Sequence, residues 1–144
     1  MQILPIASGK GGVGKSLVAA NLSIALSEAG KKVILADMDL GASNLHLMLG
    51  FNSVRKGIGT YLNNTGIDFS EIILETDYPN LRFIPGDAEI PGLSNIKVQT
   101  KNALIKRLLA LDADYLIMDL GAGSGLNTMD FFLTSGTGIV VTAP

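Results

Sequence analysis

Short unbroken apolar runs recur along this chain, and the segments between them repeat their apolar positions at helical spacing. Residues 3–7 (ILPIA), 32–39 (KVILADMD), 81–86 (LRFIPG), 114–121 (DYLIMDLG) and 138–144 (GIVVTAP) read as buried strands. Residues 16–30 (SLVAANLSIALSEAG) read as a helix, with Val18, Leu22, Ala25 and Ala29 on one stripe and Gly30 as the stop beyond its last turn. A second helix is clearest over residues 99–114, where Leu104, Leu108 and Leu111 share a face. Strands alternating with helices imply right-handed crossovers. The expected fold is α/β, three-layered and doubly wound, around a mainly parallel sheet of about five strands. The pattern is weakest over residues 50–80, where LNNTGID (62–68) reads as a loop. Pro5 removes a ladder donor from the first strand, and nothing in the sequence compensates for it. No helical pattern follows the last strand, which leaves an apolar edge. Residues 1–144 are therefore expected to be one domain, incomplete at its C-terminus.

Composition narrows the classes of function. A hydrophobic content of 47% with 17% charged residues suits strands buried on both faces. The formal net charge of −2 gives no electrostatic footprint for nucleic acid. The absence of cysteine excludes disulfides, thiolate metal sites and cysteine nucleophiles from these residues. The N-terminus has no basic region and its apolar run is broken by Pro5, unlike a signal peptide. No apolar stretch is long enough to span a bilayer, so a cytoplasmic protein is expected.

The candidate chemistry begins at residues 8–16, SGKGGVGKS. Gly9, Gly14, Lys15 and Ser16 fit G-x-x-x-x-G-K-[ST], a phosphate-binding loop set between a strand and a helix as the mechanism requires. Glycines let successive backbone N–H groups curl around an anion, and the following helix adds the positive end of its dipole. Gly9, Lys10, Gly11, Gly12, Val13, Gly14, Lys15, Ser16 and Leu17 are the expected cradle for ATP or ADP. Lys15 would meet the β- and γ-phosphates, and the Ser16 hydroxyl would ligate Mg²⁺. Lys10 is a second lysine, which the loop itself does not need.

Ligands of open α/β sheets bind at the carboxyl ends of the strands. Asp37 and Asp39, Gly86 and Asp87, and Asp119 with GAGSG (121–125) all fall there. Asp119 is a candidate Mg²⁺ carboxylate; the plain alternative is an aspartate capping the next turn. Gly121 and the glycines after it would let backbone approach the γ-phosphate. Asp37 and Asp39 are expected to separate, one facing the metal or attacking water and the other packing structurally, and spacing leaves open which does which. The remaining residues invite plain readings. His46 sits on the helix after this segment, Lys101, Lys106 and Arg107 form a solvated helix face, and Phe131 and Phe132 belong to the core.

SGKGGVGKS resembles the deviant Walker A motif of the MinD/ParA class of P-loop ATPases. The likeness extends to ILADMDLGASNLHLMLG (34–50), which is similar to that family's switch I, and to FIPGDAEI (83–90). YLIMDLGAGSGLNTMDFF (115–132) is similar to the MinD-like regulators of flagellar number and position. The resemblance implies an Mg²⁺-dependent ATPase that dimerises through ATP and acts as a switch in cell division, chromosome or plasmid partition, or flagellar positioning. It implies that Lys10 crosses the dimer interface to the partner's nucleotide and that Lys15 binds the phosphates. It further implies that Asp39 positions the attacking water, that Asp119 is the Walker B carboxylate, and that Ser16, Asp39 and Asp119 surround the metal. A protein activator or cargo partner follows, as does peripheral association with the inner membrane through a C-terminal segment that these residues do not include. The family's purine-binding segment is not among them either. The alternatives are an ATP-dependent amide-forming synthetase of cobyrinate type, whose members usually lack the lysine at the Lys10 position, and an iron–sulfur carrier, which needs cluster cysteines.

Overall fold

The computed structural model describes residues 1–39, 44–64, 66–86, 97–123 and 125–143, apart from the side chains at 126 and 127. In chain order they form β1 (Gln2–Ser8), α1 (Lys15–Glu28), β2 (Val33–Met38), α2 (Leu45–Met48), α3 (Ile58–Asn63), a 3₁₀ turn (Phe69–Ile72), β3 (Leu74–Glu75), β4 (Leu81–Ile84), α4 (Val98–Leu109), β5 (Tyr115–Leu120), α5 (Leu126–Phe132) and β6 (Ile139–Val141). The strands make one sheet in the order β3-β4-β2-β5-β1-β6. Every pairing is parallel except that of β3 with β4.

All six residues of β2 are buried, because both faces of the sheet are covered. Successive side chains alternate between the faces. Ile34, Ala36 and Met38 join Leu116, Met118 and Leu120 in a core closed by Ile58 of α3, Leu104 and Leu108 of α4, and Phe131 of α5. Val33 and Leu35 join Phe83 and Ile117 in a second core closed by Ala19 and Ala20 of α1 and Leu45 of α2. This is the three-layer α/β arrangement expected. The strand beyond the expected five is β3, a two-residue edge too short to carry an alternation of its own.

Several local expectations are corrected. Of the expected α1 stripe only Leu22 packs against the sheet, half-buried on the second core: Val18 is 38% exposed, and Ala25 and Ala29 are also exposed. The buried face is Ala19, Ala20, Ser23 and Ser27, small side chains that let the helix lie close to the sheet. The Ser23 and Ser27 hydroxyls donate to the Ala19 and Ile24 carbonyls, both at 2.8 Å, so their burial leaves no hydroxyl donor unmet. Gly30 does stop the helix, with φ of 80° and its N–H donating to the Ser27 carbonyl. On α4, Lys106 and Arg107 are exposed, but Lys101 is 4% exposed and its ammonium pairs with the Asp130 carboxylate. It shares the buried face of Leu104 and Leu108 and ties α4 to α5. Phe131 is core, and Phe132 is half-buried against it.

Pro5 turns out to be accommodated by the neighbouring strand. The Ser135 hydroxyl donates to the Ile3 carbonyl at 2.8 Å, so the backbone groups of residues 3 and 5 face the β6 side. β6 pairs with β1 only from Ile6 onward, and no ladder donor is missed at Pro5.

The weakly patterned stretch folds around a capping box. The Asp68 carboxylate accepts from the Ser70 N–H at 2.8 Å and Glu71 accepts from the Asp68 N–H at 2.9 Å. The Ser70 hydroxyl also holds the Asp68 carboxyl below its ordinary range. The turn drives Phe69 and Ile72 into the α4 side of the core.

Gly138 precedes β6 where a Cβ would stand 2.6 Å from the Phe132 ring. Gly138→Ala is expected to cost about 1–3 kcal/mol by overpacking, read as a fall of several degrees in Tm. Adding Phe132→Leu should recover part of that loss, because the shorter side chain vacates the position.

Candidate functional site

β1 ends at Ser8 and α1 begins at Lys15, so the loop between them lies at the carboxyl edge of the sheet. Gly12 and Gly14 turn it through φ of 77° and 90°, values that disfavour any side chain. Gly14 is also the N-cap of α1, with no side-chain bond to the first turn and no acidic residue in it. The helix therefore presents its positive end and its first N–H groups without an internal counter-charge. Nothing lies within 4 Å of a Cβ placed on Gly9, Gly11, Gly12 or Gly14, so the loop borders open space. The Ser8 hydroxyl donates to the Lys10 carbonyl at 2.9 Å and fixes the start of the loop. The Gly123 N–H donates to the Ser8 carbonyl at 2.9 Å and binds the segment after β5 to it.

A cavity of about 330 Å³ opens here, lined by Ser8, Gly11, Gly12, Gly14, Lys15, Ser16, Leu17, Asp39, Met48 and Ala122. Lys15 is 7% exposed and its Nζ lies 2.6 Å from Oδ1 of Asp119, itself 1% exposed. Asp119 stands on β5 between Ile6 of β1 and Asp37 of β2. Asp37 is buried, whereas Asp39 is half-buried and reaches the cavity. Strand alternation does not separate them, since residues two apart on one strand share a face. β2 ends at Met38, and the Asp39 N–H donates back to Asp37 Oδ1 at 3.1 Å. Asp39 Oδ1 lies 3.5 Å from where a Cβ on Gly121 would stand, which brings its carboxylate beside the loop after β5.

Thus Gly11, Gly12, Gly14, Lys15, Ser16, Leu17 and Asp39 come together on one wall. Gly9 lines an adjoining recess of about 240 Å³ between α5 and β6. Asp119 lies behind Lys15, and Gly121 joins the site through Asp39. Lys10 is exposed and Val13 half-buried, and neither lines the cavity. His46 lies on α2, as expected, and off the cavity wall. Met48 and Ala122 were not foreseen. A single methionine on a four-residue helix has no periodicity to expose it, and Ala122 sits within the GAGSG run without a functional group of its own. Residues 40–43 of the switch I segment, Asp87 and Ser124 lie outside the described residues.

Among the described residues no group of three or more His, Cys, Asp or Glu could hold a metal ion unaided. One hydroxyl and two carboxylates beside an anion cradle suit Mg²⁺, which takes few protein ligands and completes its shell with phosphate oxygens and water. A hard divalent cation with a polyphosphate fits this donor set.

Residues 4–129 match the family described as the CobQ/CobB/MinD/ParA nucleotide binding domain. The septum site-determining protein MinD of Helicobacter pylori is 33% identical over 99% of this chain and 53% of its own length. The flagellum site-determining protein YlxH of the same organism is 34% identical over 99% of this chain and 48% of its own. The chain thus spans about half the length of these curated relatives. MinD of Pyrococcus horikoshii complexed with Mg-ADP superposes with a TM-score of 0.84 at 34% identity, over 98% of this chain and 57% of that one.

Proposed function

The chain belongs to the CobQ/CobB/MinD/ParA nucleotide-binding domain family, and from that premise we propose that it binds ATP and ADP with Mg²⁺ as the nucleotide-binding part of a nucleotide-switch ATPase. The observation that carries this reading is the glycine cradle with Lys15 and Ser16 at the start of α1. The cradle N–H groups and the Lys15 ammonium hold the β- and γ-phosphates. The Ser16 hydroxyl and the Asp119 carboxylate would hold Mg²⁺, with the Asp39 carboxylate beside it at the cavity margin. When bound, Mg²⁺ would neutralise charge on the phosphates.

Asp39 orients a water toward the γ-phosphorus, and hydrolysis yields ADP and phosphate. Phosphoryl transfer depends mainly on positioning and charge stabilisation, which is what these groups offer. ATP holds two copies of the protein together and ADP releases them. Relatives named for determining septum and flagellum sites support a role in placing a cellular cargo, with a protein partner as activator. Among the described residues no helix is long and apolar enough to cross a membrane. The cobyrinate-type reading is less well supported, because Lys10 stands where such synthetases usually lack lysine.

The experiment is calorimetry with ADP and Mg²⁺, paired with phosphate release from ATP. Asp39→Ala is expected to keep nucleotide affinity while turnover falls on the order of a hundredfold, the usual effect of removing one transition-state contact. Turnover at the parent rate would transfer the water-positioning role to Asp37 or to backbone.

A further inference from the structure

Among the described residues that line the cavity, the one cation is already engaged. Lys15 lies 2.6 Å from Asp119, and both side chains are withdrawn from water. We infer that this ion pair makes the site selective for nucleotide that arrives with a divalent cation, so that metal-free nucleotide is rejected. The inference rests on the nucleotide reading above and assigns Asp119 a second role, as a competitor for Lys15.

The reasoning is one of charge exchange. A metal-free polyphosphate must either share the Lys15 ammonium with Asp119 or draw it away, and in both cases Asp119 loses counter-charge. That leaves a carboxylate, 1% exposed, beside the incoming phosphates and opposite Asp37 in the β2–β5 register. A buried charge that loses its partner is strongly disfavoured, and here the neighbouring charges share its sign. If a divalent cation enters with the phosphates, Asp119 exchanges one cation for another while Lys15 exchanges a carboxylate for phosphate. No buried charge is then left unpaired. Ser16, next to Lys15 and on the same wall, offers the cation its hydroxyl. The pair therefore sets a threshold against free phosphate and free nucleotide that the metal complex does not meet.

A plain metal-ligand role for Asp119 gives a different forecast. Losing a metal ligand weakens binding in Mg²⁺ and leaves binding in chelator unchanged. Losing a competitor for Lys15 strengthens binding in chelator. The test is the affinity of the purified protein for ADP, by calorimetry, in Mg²⁺ and in EDTA, for the parent, Asp119→Asn and Asp119→Ser, with thermal unfolding to confirm folding. The parent should lose at least about a hundredfold in EDTA, and either variant should bind metal-free ADP on the order of tenfold more tightly than the parent. Metal-free affinity in a folded variant equal to or below the parent's would overturn the inference. If neither variant folds, the parent alone decides: affinities in EDTA and Mg²⁺ within about threefold would overturn it. Failure of the parent to bind Mg·ADP at all would instead remove the nucleotide reading on which the inference rests.

Discussion

Lys15→Ala is expected to do two things at once: abolish binding of Mg·ADP and destabilise the fold. Lys15 is the one cation among the described residues that line the cavity, so its loss removes the side-chain counter-charge for the phosphates. An affinity loss of at least about a hundredfold, about 2.7 kcal/mol, should follow in calorimetry. The structural effect comes from Asp119. Truncating Lys15 leaves that carboxylate in the interior without the partner 2.6 Å away, and breaking a buried pair from one side costs about 3–5 kcal/mol. This is a large share of the roughly 5–15 kcal/mol that holds a domain folded. The two effects separate in the double variant Lys15→Met with Asp119→Leu. Removing both charges should return most of the lost stability, while binding stays lost. If Lys15→Ala unfolds at the parent's denaturant midpoint, the pair contributes nothing to the fold. If it binds Mg·ADP like the parent, the cradle has been misassigned.

The parts of this molecule that were legible in the sequence are those where one physical demand dominates a contiguous stretch. β2 and β5 are buried on both faces, so each opens as a continuous apolar run that is interrupted only near its carboxyl end, at Asp37 and Asp119. The phosphate loop needs glycine at positive φ and lysine at the helix start, and Gly12, Gly14 and Lys15 supply them at fixed spacing. Misreadings arose where a residue's surroundings come from elsewhere in the chain. The buried face of α1 is made of alanine and serine, because close approach to the sheet matters more there than apolar bulk. Lys101 looks like a surface lysine until α5 brings Asp130 against it, 29 residues further on. The Lys15–Asp119 contact spans 104 residues, and the loop motif alone gives no hint that its lysine is paired. β3 is held by its register with β4 and has no pattern of its own.

Lys10 presents the opposite case to Lys15, and Lys10→Ala is expected to leave the single chain almost unchanged. Its side chain is exposed and off the cavity wall, and the Ser8 hydroxyl uses only its backbone carbonyl, which alanine retains. Stability should stay within about 0.5 kcal/mol of the parent, and so should affinity for ADP. The loss should instead appear in assembly. In the proposed dimer two phosphate loops face each other, and each Lys10 neutralises charge on the triphosphate held by the other copy. A cation supplied from outside the site in this way is worth on the order of 10³-fold or more in hydrolysis. That contact also makes association depend on the γ-phosphate, since a ligand shifts an equilibrium only by its differential affinity for the two states. Light scattering with a non-hydrolysable ATP analogue should therefore show dimers for the parent and monomers for Lys10→Ala, with monomers for both in ADP. Hydrolysis by the variant should fall to the rate of the isolated monomer. Lys10→Arg, which keeps the charge but changes its shape, should recover association before it recovers rate, because pairing tolerates a longer cation and transition-state geometry does not. Equal dimerisation by the alanine variant and the parent would leave Lys10 a solvated loop residue and would move the ATP dependence of assembly to Asp39 and the loop after β5.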